Sequence, residues 1–146
     1  MKIYIPYSNY IQEATLISLK GYDRETVLMV SNGSYLKYFQ ERWEEEESFI
    51  NIEHDVVPWP GAIDELEHCQ ELWCGYCYKK FELGNEYFGC VRFSQELIKL
   101  IPDVWNEREQ YSKEYGNLDV HFSTYAKKCG IKFHQHFPSV IHLKEI

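Results

Sequence analysis

A single-domain α/β fold, with a mostly parallel sheet flanked by helices, is what this sequence predicts. Three observations carry that expectation. Apolar runs and helix-like segments alternate as β-α-β-α-β up to Ile52, an order that implies parallel strands joined by right-handed crossovers. The 146 residues suit one domain with a real core, so residues 1–146 are read as one unit. A content of 45% hydrophobic and 16% aromatic residues, without low-complexity sequence, favours a folded globule over a disordered chain.

Each element has its own signal. Residues 2–6 read as a first strand, stopped by Pro6 and a polar turn at Ser8-Asn9. Residues 11–19 follow as a helix closed by Gly21. The unbroken apolar run 26–30 has the character of a buried parallel strand, with a turn at Ser31-Asn32-Gly33-Ser34 behind it. A second helix is expected over about 35–47, where Leu36, Phe39 and Trp43 form the apolar face and Glu44 to Glu47 face solvent. Phe49 to Ile52 is the third strand, and 61–69 a short helix with Ile63, Leu66 and Cys69 inward. Residues 73–78 and 81–91 read as extended segments around a turn at Gly84-Asn85. Ser94 caps a helix over 95–101 that ends before Pro102. Residues 118–129 form an amphipathic helix ended by Gly130, and 131–143 are extended.

Bulk properties narrow the function classes. A net charge of −8 argues against broad electrostatic binding to nucleic acid, which needs clustered Lys and Arg. No apolar stretch is long enough to span a bilayer. Met1-Lys2-Ile3-Tyr4-Ile5-Pro6 leads straight into a strand-like run without a signal-peptide pattern, so a cytoplasmic location is expected. Twelve tyrosines and four tryptophans suit core packing, sugar or base stacking, or a homo-oligomer contact.

The central candidate site is Glu53-His54-Asp55, where the third strand ends and Pro58-Trp59-Pro60-Gly61 turns the chain. Ligands of α/β sheets bind beyond the carboxyl ends of strands. Two carboxylates there suit Mg²⁺ or Mn²⁺, hard cations that take oxygen ligands and are often shared with substrate phosphates. The alternative is a pair of loop carboxylates capping the next helix. His134, His136 and His142 share a parity, and an imidazole among them can add a nitrogen ligand or donate to a diphosphate. Pro138 argues against one uninterrupted strand through all three. Asp119 suits either a helix-dipole contact or a base for an acceptor hydroxyl, and Arg92 either a phosphate fork or a surface ion pair. Cys74-Gly75-Tyr76-Cys77, with His68 nearby, has the spacing of a zinc knuckle. Reduced, buried thiols are the alternative, and five cysteines do not make a complete disulfide framework.

Taken together, Glu53-His54-Asp55-Val56-Val57-Pro58-Trp59-Pro60-Gly61-Ala62, Cys69, Trp73-Cys74, Gly89-Cys90-Val91-Arg92-Phe93-Ser94, Pro102-Asp103, Leu118-Asp119 and His134-x-His136-x-Pro138-x-Val140-x-His142 resemble small bacterial and phage GT-A-type glycosyltransferase-like proteins. The resemblance covers roughly residues 49–143. It implies a GT-A-like, Rossmann-like domain with a shortened N-terminal half. It also implies a nucleoside-diphosphate sugar as donor, a hydroxyl acceptor, and Mn²⁺ or Mg²⁺ as cofactor. Glu53 and Asp55 match the Asp-x-Asp-type motif, with Glu in its first place, and His142 matches a late metal-binding His. On this resemblance Glu53, Asp55 and His142 hold metal, while Glu53, Trp59, Arg92, His134 and His136 contact substrate and Asp119 is the catalytic base. A non-catalytic nucleotide or nucleotide-sugar binder and a zinc-stabilised interaction module are the alternatives.

Overall fold

The computed structural model describes residues 1–31, 33–78, 88–106 and 115–145. The expected turn at Gly84-Asn85 lies outside them. The order is β1 (Lys2–Tyr7), α1 (Glu13–Ser18), β2 (Arg24–Leu28), α2 (Ser34–Glu45), β3 (Phe49–Ile52), β4 (Val56–Val57), α3 (Ala62–His68), β5 (Trp73–Tyr78), β6 (Cys90–Phe93), α4 (Gln95–Leu100), α5 (Tyr115–Lys128) and β7 (His134–His142). A 3₁₀ turn, Leu143–Glu145, follows β7.

Among the described residues the strands form one sheet of seven, in the order β2-β1-β3-β6-β5-β7-β4. The expectation of a mostly parallel sheet is corrected to a mixed one. β1 pairs parallel with β2 and β3, and β5 with β7. β6 pairs antiparallel with β3 and β5, as does β4 with β7. The pairings therefore place β1, β3, β5 and β7 in one direction, and β6 is the inserted strand running the other way.

Strand alternation divides the core in two. Phe49, Trp73, Val91 and Phe93 face an aromatic layer completed by Phe39 and Trp43 of α2, Leu97 and Ile98 of α4, Trp105, and Phe122 of α5. Ile3, Ile5, Ile50, Ile52, Cys74, Tyr76 and Cys90 face the other layer, under Leu19 and the α3 residues Ile63 and Leu66. The aromatic richness is thus largely spent on packing, with Phe49 and Phe93 stacked at 5.0 Å and Trp43 donating its indole N–H to the Ile101 carbonyl at 3.1 Å.

Several expectations shift. Pro6 does not stop β1, because pairing with β3 covers only Lys2 to Tyr4 and no β3 bond needs its missing N–H. β2 is an edge strand rather than a buried one, with Leu28 52% exposed and Arg24 and Glu25 exposed on either face. The β7 strand continues through Pro138, since Tyr76 pairs with His136 and Tyr78 with Val140, so two residues of β5 face four of β7 and an irregularity accommodates the proline. Ser94 caps α4 as expected, its hydroxyl accepting from the Leu97 N–H at 3.1 Å.

Candidate site at the carboxyl edge of the sheet

The strand directions bring the ends of β3, β5 and β7 to one edge, together with the start of β6. Glu53 leaves β3 with its N–H donating to the Gly89 carbonyl at 3.0 Å. Val56 N–H then donates to the Glu53 carbonyl at 3.2 Å, which closes a tight turn into β4. Glu53 and Asp55 are therefore turn residues rather than neighbours on one strand face, and they point to different partners. The Tyr78 hydroxyl donates to Glu53 Oε1 at 2.6 Å. Asp55 is 2% exposed, and its Oδ2 meets His142 Nε2 at 3.1 Å and Lys144 Nζ at 3.6 Å. The Leu143 N–H donates to the Asp55 carbonyl at 2.9 Å, fastening this turn to the end of β7.

Tyr78 lies face to face with His142, ring centroids 4.2 Å apart and planes 15° from parallel. Gly89 makes room for it, because a Cβ at that position would run into the Tyr78 hydroxyl and ring. Beneath the edge, buried Asn51 accepts from the Tyr38 hydroxyl at 2.7 Å and donates to the Phe88 carbonyl. Burial raises the Glu53 carboxyl above its ordinary range; the Tyr78 hydrogen bond opposes this and the Asp55 charge adds to it. Burial, reinforced by the charge of Glu53, pushes Tyr78 well up, so it remains a neutral donor. Burial depresses His54, opposed by the neighbouring Asp55 carboxylate.

The residues singled out from the sequence separate into groups. Glu53, Asp55 and His142 share this edge. Asp119 lies in α5, one turn inside the helix rather than at its start; after burial, the charges of Glu53 and Asp119 both contribute to raising Tyr35. Its Oδ1 accepts from the Val120 N–H at 2.8 Å. Arg92 lies two pairs down the ladder from the Ile52–Cys90 end, and its Nη1 donates to the Glu71 carbonyl at 2.9 Å. Trp59 donates to the Pro138 carbonyl at 3.2 Å and walls a cleft of about 620 Å³ with Ile17 and Tyr22. His134 and His136 sit near the opposite end of β7 from His142, so the three histidines do not make one site. The Cys74–Cys77 knuckle is corrected as well: residues three apart on β5 point to opposite faces, and burial pushes the Cys74 thiol up to about 12. Among the described residues no disulfide links any of the five cysteines.

The residues present fit a hard cation in part. Asp55 Oδ1 is buried without a hydrogen-bond partner among the described residues, and an imidazole beside carboxylates is a suitable donor set for Mn²⁺. Glu53, however, is engaged by Tyr78, and these side chains do not form a group of three ligand atoms drawn to one point. Tyr78, Asn51 and Lys144 are not singled out by the sequence, and Gly89 enters only in the resemblance, without a role. Only Lys144, two residues past His142, carried a positional signal.

No model of a known protein family and no curated protein matches the sequence. Solved structures match it in fold, at low sequence identity, and the fold is similar to that of GT-A glycosyltransferases. A glycosyltransferase involved in glycosylation of the major capsid of PBCV-1 aligns with a TM-score of 0.59 and 12% identity, over 94% of this chain and 81% of that one. A197 from STIV aligns with a TM-score of 0.58 and 13% identity, over 95% and 82%. A mutant Drosophila β-1,4-galactosyltransferase 7, in complex with manganese, UDP-Gal and xylobiose, gives 0.64 and 13%, over 98% and 70%. At such identities the likeness is one of fold. No helix among the described residues is long and apolar enough to cross a membrane.

Proposed function

We propose that this protein is a metal-dependent glycosyltransferase that moves a sugar from a nucleoside diphosphate to a hydroxyl acceptor. The observation that carries the reading is buried Asp55, held by His142 at the carboxyl edge of a glycosyltransferase-like sheet with one carboxylate oxygen unpartnered. Asp55 and His142, with Glu53 beside them, would hold Mn²⁺ or Mg²⁺. Such an ion supplies positive charge to the departing diphosphate. Lys144, 71% exposed at its side chain, adds a mobile ammonium where that diphosphate would lie. Tyr78 and Gly89 hold the Glu53 carboxylate in place. In the inverting case the acceptor oxygen bonds to the anomeric carbon, the bond from that carbon to the diphosphate breaks, and Asp119 takes the acceptor proton. Trp59 and Arg92 are further substrate contacts in this reading, with Trp59 in its cleft suited to a sugar or base; His134 and His136, at the other end of β7, are left out of it. The proposed location remains cytoplasmic.

A non-catalytic binder of a nucleotide or nucleotide sugar is the second reading. It is favoured by the Asp55 carboxylate already facing His142 and Lys144, and by Glu53 already accepting from Tyr78. Both readings are tested with a panel of nucleoside-diphosphate sugars, with and without Mn²⁺. Transfer with release of nucleoside diphosphate, lost in Asp55→Ala, supports the enzyme. Metal-dependent binding without turnover supports the binder, and absence of either in folded protein refutes both.

A further inference from the structure

At the other end of β7, Cys69, His134 and His136 each offer a ligand atom within 4.8 Å of the other two. Cys69 is the residue on which α3 ends, and His134 and His136 lie two apart on β7. Their rings meet edge to face, with centroids 4.8 Å apart. The region is remote from Asp55 along the strand. His136 and His142 are six positions apart, a span of up to about 20 Å for extended chain.

His136 is what makes this a built site. It is 8% exposed, and its Nδ1 meets Glu65 Oε1 at 2.8 Å, while Nε2 is buried with no hydrogen-bond partner among the described residues. A neutral imidazole that donates from Nδ1 to a carboxylate has its Nε2 lone pair left over for a ligand. Metal-binding histidines commonly have this arrangement, in which the outer carboxylate fixes the tautomer and raises the basicity of the ligating nitrogen. Tyr76 flanks the ring at 5.4 Å and limits its rotation. The orphaned nitrogen would otherwise be a buried acceptor with a desolvation cost and nothing to offset it.

We propose that Cys69, His134 and His136 bind a borderline-soft divalent cation, Zn²⁺ in preference to Mn²⁺ or Mg²⁺, with Glu65 as the positioning residue for His136. Thiolate and imidazole favour zinc, whereas the harder cations take oxygen. Ligand atoms around tetrahedral zinc lie roughly 3.3–3.8 Å apart, given its bond lengths to nitrogen and sulfur. The observed group closes onto such an ion by about an ångström, through the exposed His134 and half-buried Cys69. Zn²⁺, one thiolate and the Glu65 carboxylate sum to no net charge. Three protein ligands leave a fourth position for water. Bound metal would tie α3 to β7 and stabilise the folded state by linkage. This site is independent of the proposed transferase reading.

The test uses Co²⁺ as a spectroscopic probe on the full chain, kept reduced with a phosphine. Expected is one equivalent of Co²⁺ giving a thiolate-to-cobalt charge-transfer band in the near ultraviolet, bleached by Zn²⁺. Cys69→Ser abolishes the band, whereas Cys129→Ser, at the exposed cysteine, and Asp55→Ala retain it. Glu65→Gln keeps the band but weakens affinity by about tenfold or more. Absence of the band in folded wild-type protein, or its persistence in Cys69→Ser, overturns the proposal. Because Asp55→Ala reads the other edge separately, failure here leaves the reading of that edge standing.

Discussion

Replacing Gly89 by alanine perturbs the candidate site through packing alone. The new methyl meets the Tyr78 hydroxyl and ring, and that ring has little room to retreat: it is 4% exposed and stacked on His142 at 4.2 Å. Two costs follow. Overpacking a closed site costs about 1–3 kcal/mol. Displacing the Tyr78 hydroxyl from Glu53 loses a hydrogen bond to a charged group, worth about 1.5–3 kcal/mol. The expected destabilisation is about 3–5 kcal/mol, which lowers a urea midpoint by roughly 2 M at the slope usual for small domains. Urea unfolding at pH 7, followed by tryptophan fluorescence, measures it. Tyr78→Phe removes the first atom the methyl meets and the same hydrogen bond, so Gly89→Ala/Tyr78→Phe should be less destabilised than the sum of the single variants by about 1 kcal/mol or more. A Gly89→Ala change below about 1 kcal/mol, or additive behaviour in the double variant, would refute the reasoning.

Three other outcomes are expected. The Glu53 carboxyl is raised in the folded state from an ordinary value of 4.5, so its contribution to stability is present below about that pH and is lost as pH rises through the raised folded value. Glu53→Gln, which still accepts from Tyr78, should therefore gain melting temperature relative to wild type between pH 4.5 and pH 7; a pH-independent difference would rule this out. Ser94→Ala removes the α4 cap and should cost about 1 kcal/mol in urea unfolding, leaving nucleotide binding unchanged. Lys144→Ala loses only an exposed ammonium 3.6 Å from Asp55, so stability should stay within about 0.5 kcal/mol. Calorimetry should nevertheless show weaker nucleoside-diphosphate binding if the ammonium serves the diphosphate.

Local signals were legible where one element decides them. The alternation from Lys2 to Ile52, the Ser94 cap and the helix stop at Gly130 all follow from periodicity and capping chemistry, and the structure reproduces them. Direction within the sheet was not legible. The apolar run Cys90–Phe93 reads the same whichever way it pairs, and its insertion between β3 and β5, with β4 antiparallel to β7, makes the sheet mixed. Strand parity misled at Glu53 and Asp55, because the strand ends at Ile52 and the turn begins at Glu53 itself. It misled differently at the histidines, which share β7 but belong to opposite ends of it. The sequence reads Cys69 as an inward helix residue and leaves Cys74–Cys77 open between a zinc knuckle and buried thiols, since spacing along the chain cannot reveal that α3 ends beside β7.

Asp55 and His142 meet across 87 positions of the chain, and Tyr78 reaches Glu53 across 25. Loop closure of that length comes late, after nearer contacts have formed. The carboxyl edge is thus an end-point of folding: β7 has to dock before Asp55 acquires its imidazole partner. Metal or nucleotide binding at that edge would report completed assembly of the whole chain, and a ribosome-bound chain still missing β7 could hold a sheet without yet holding the site.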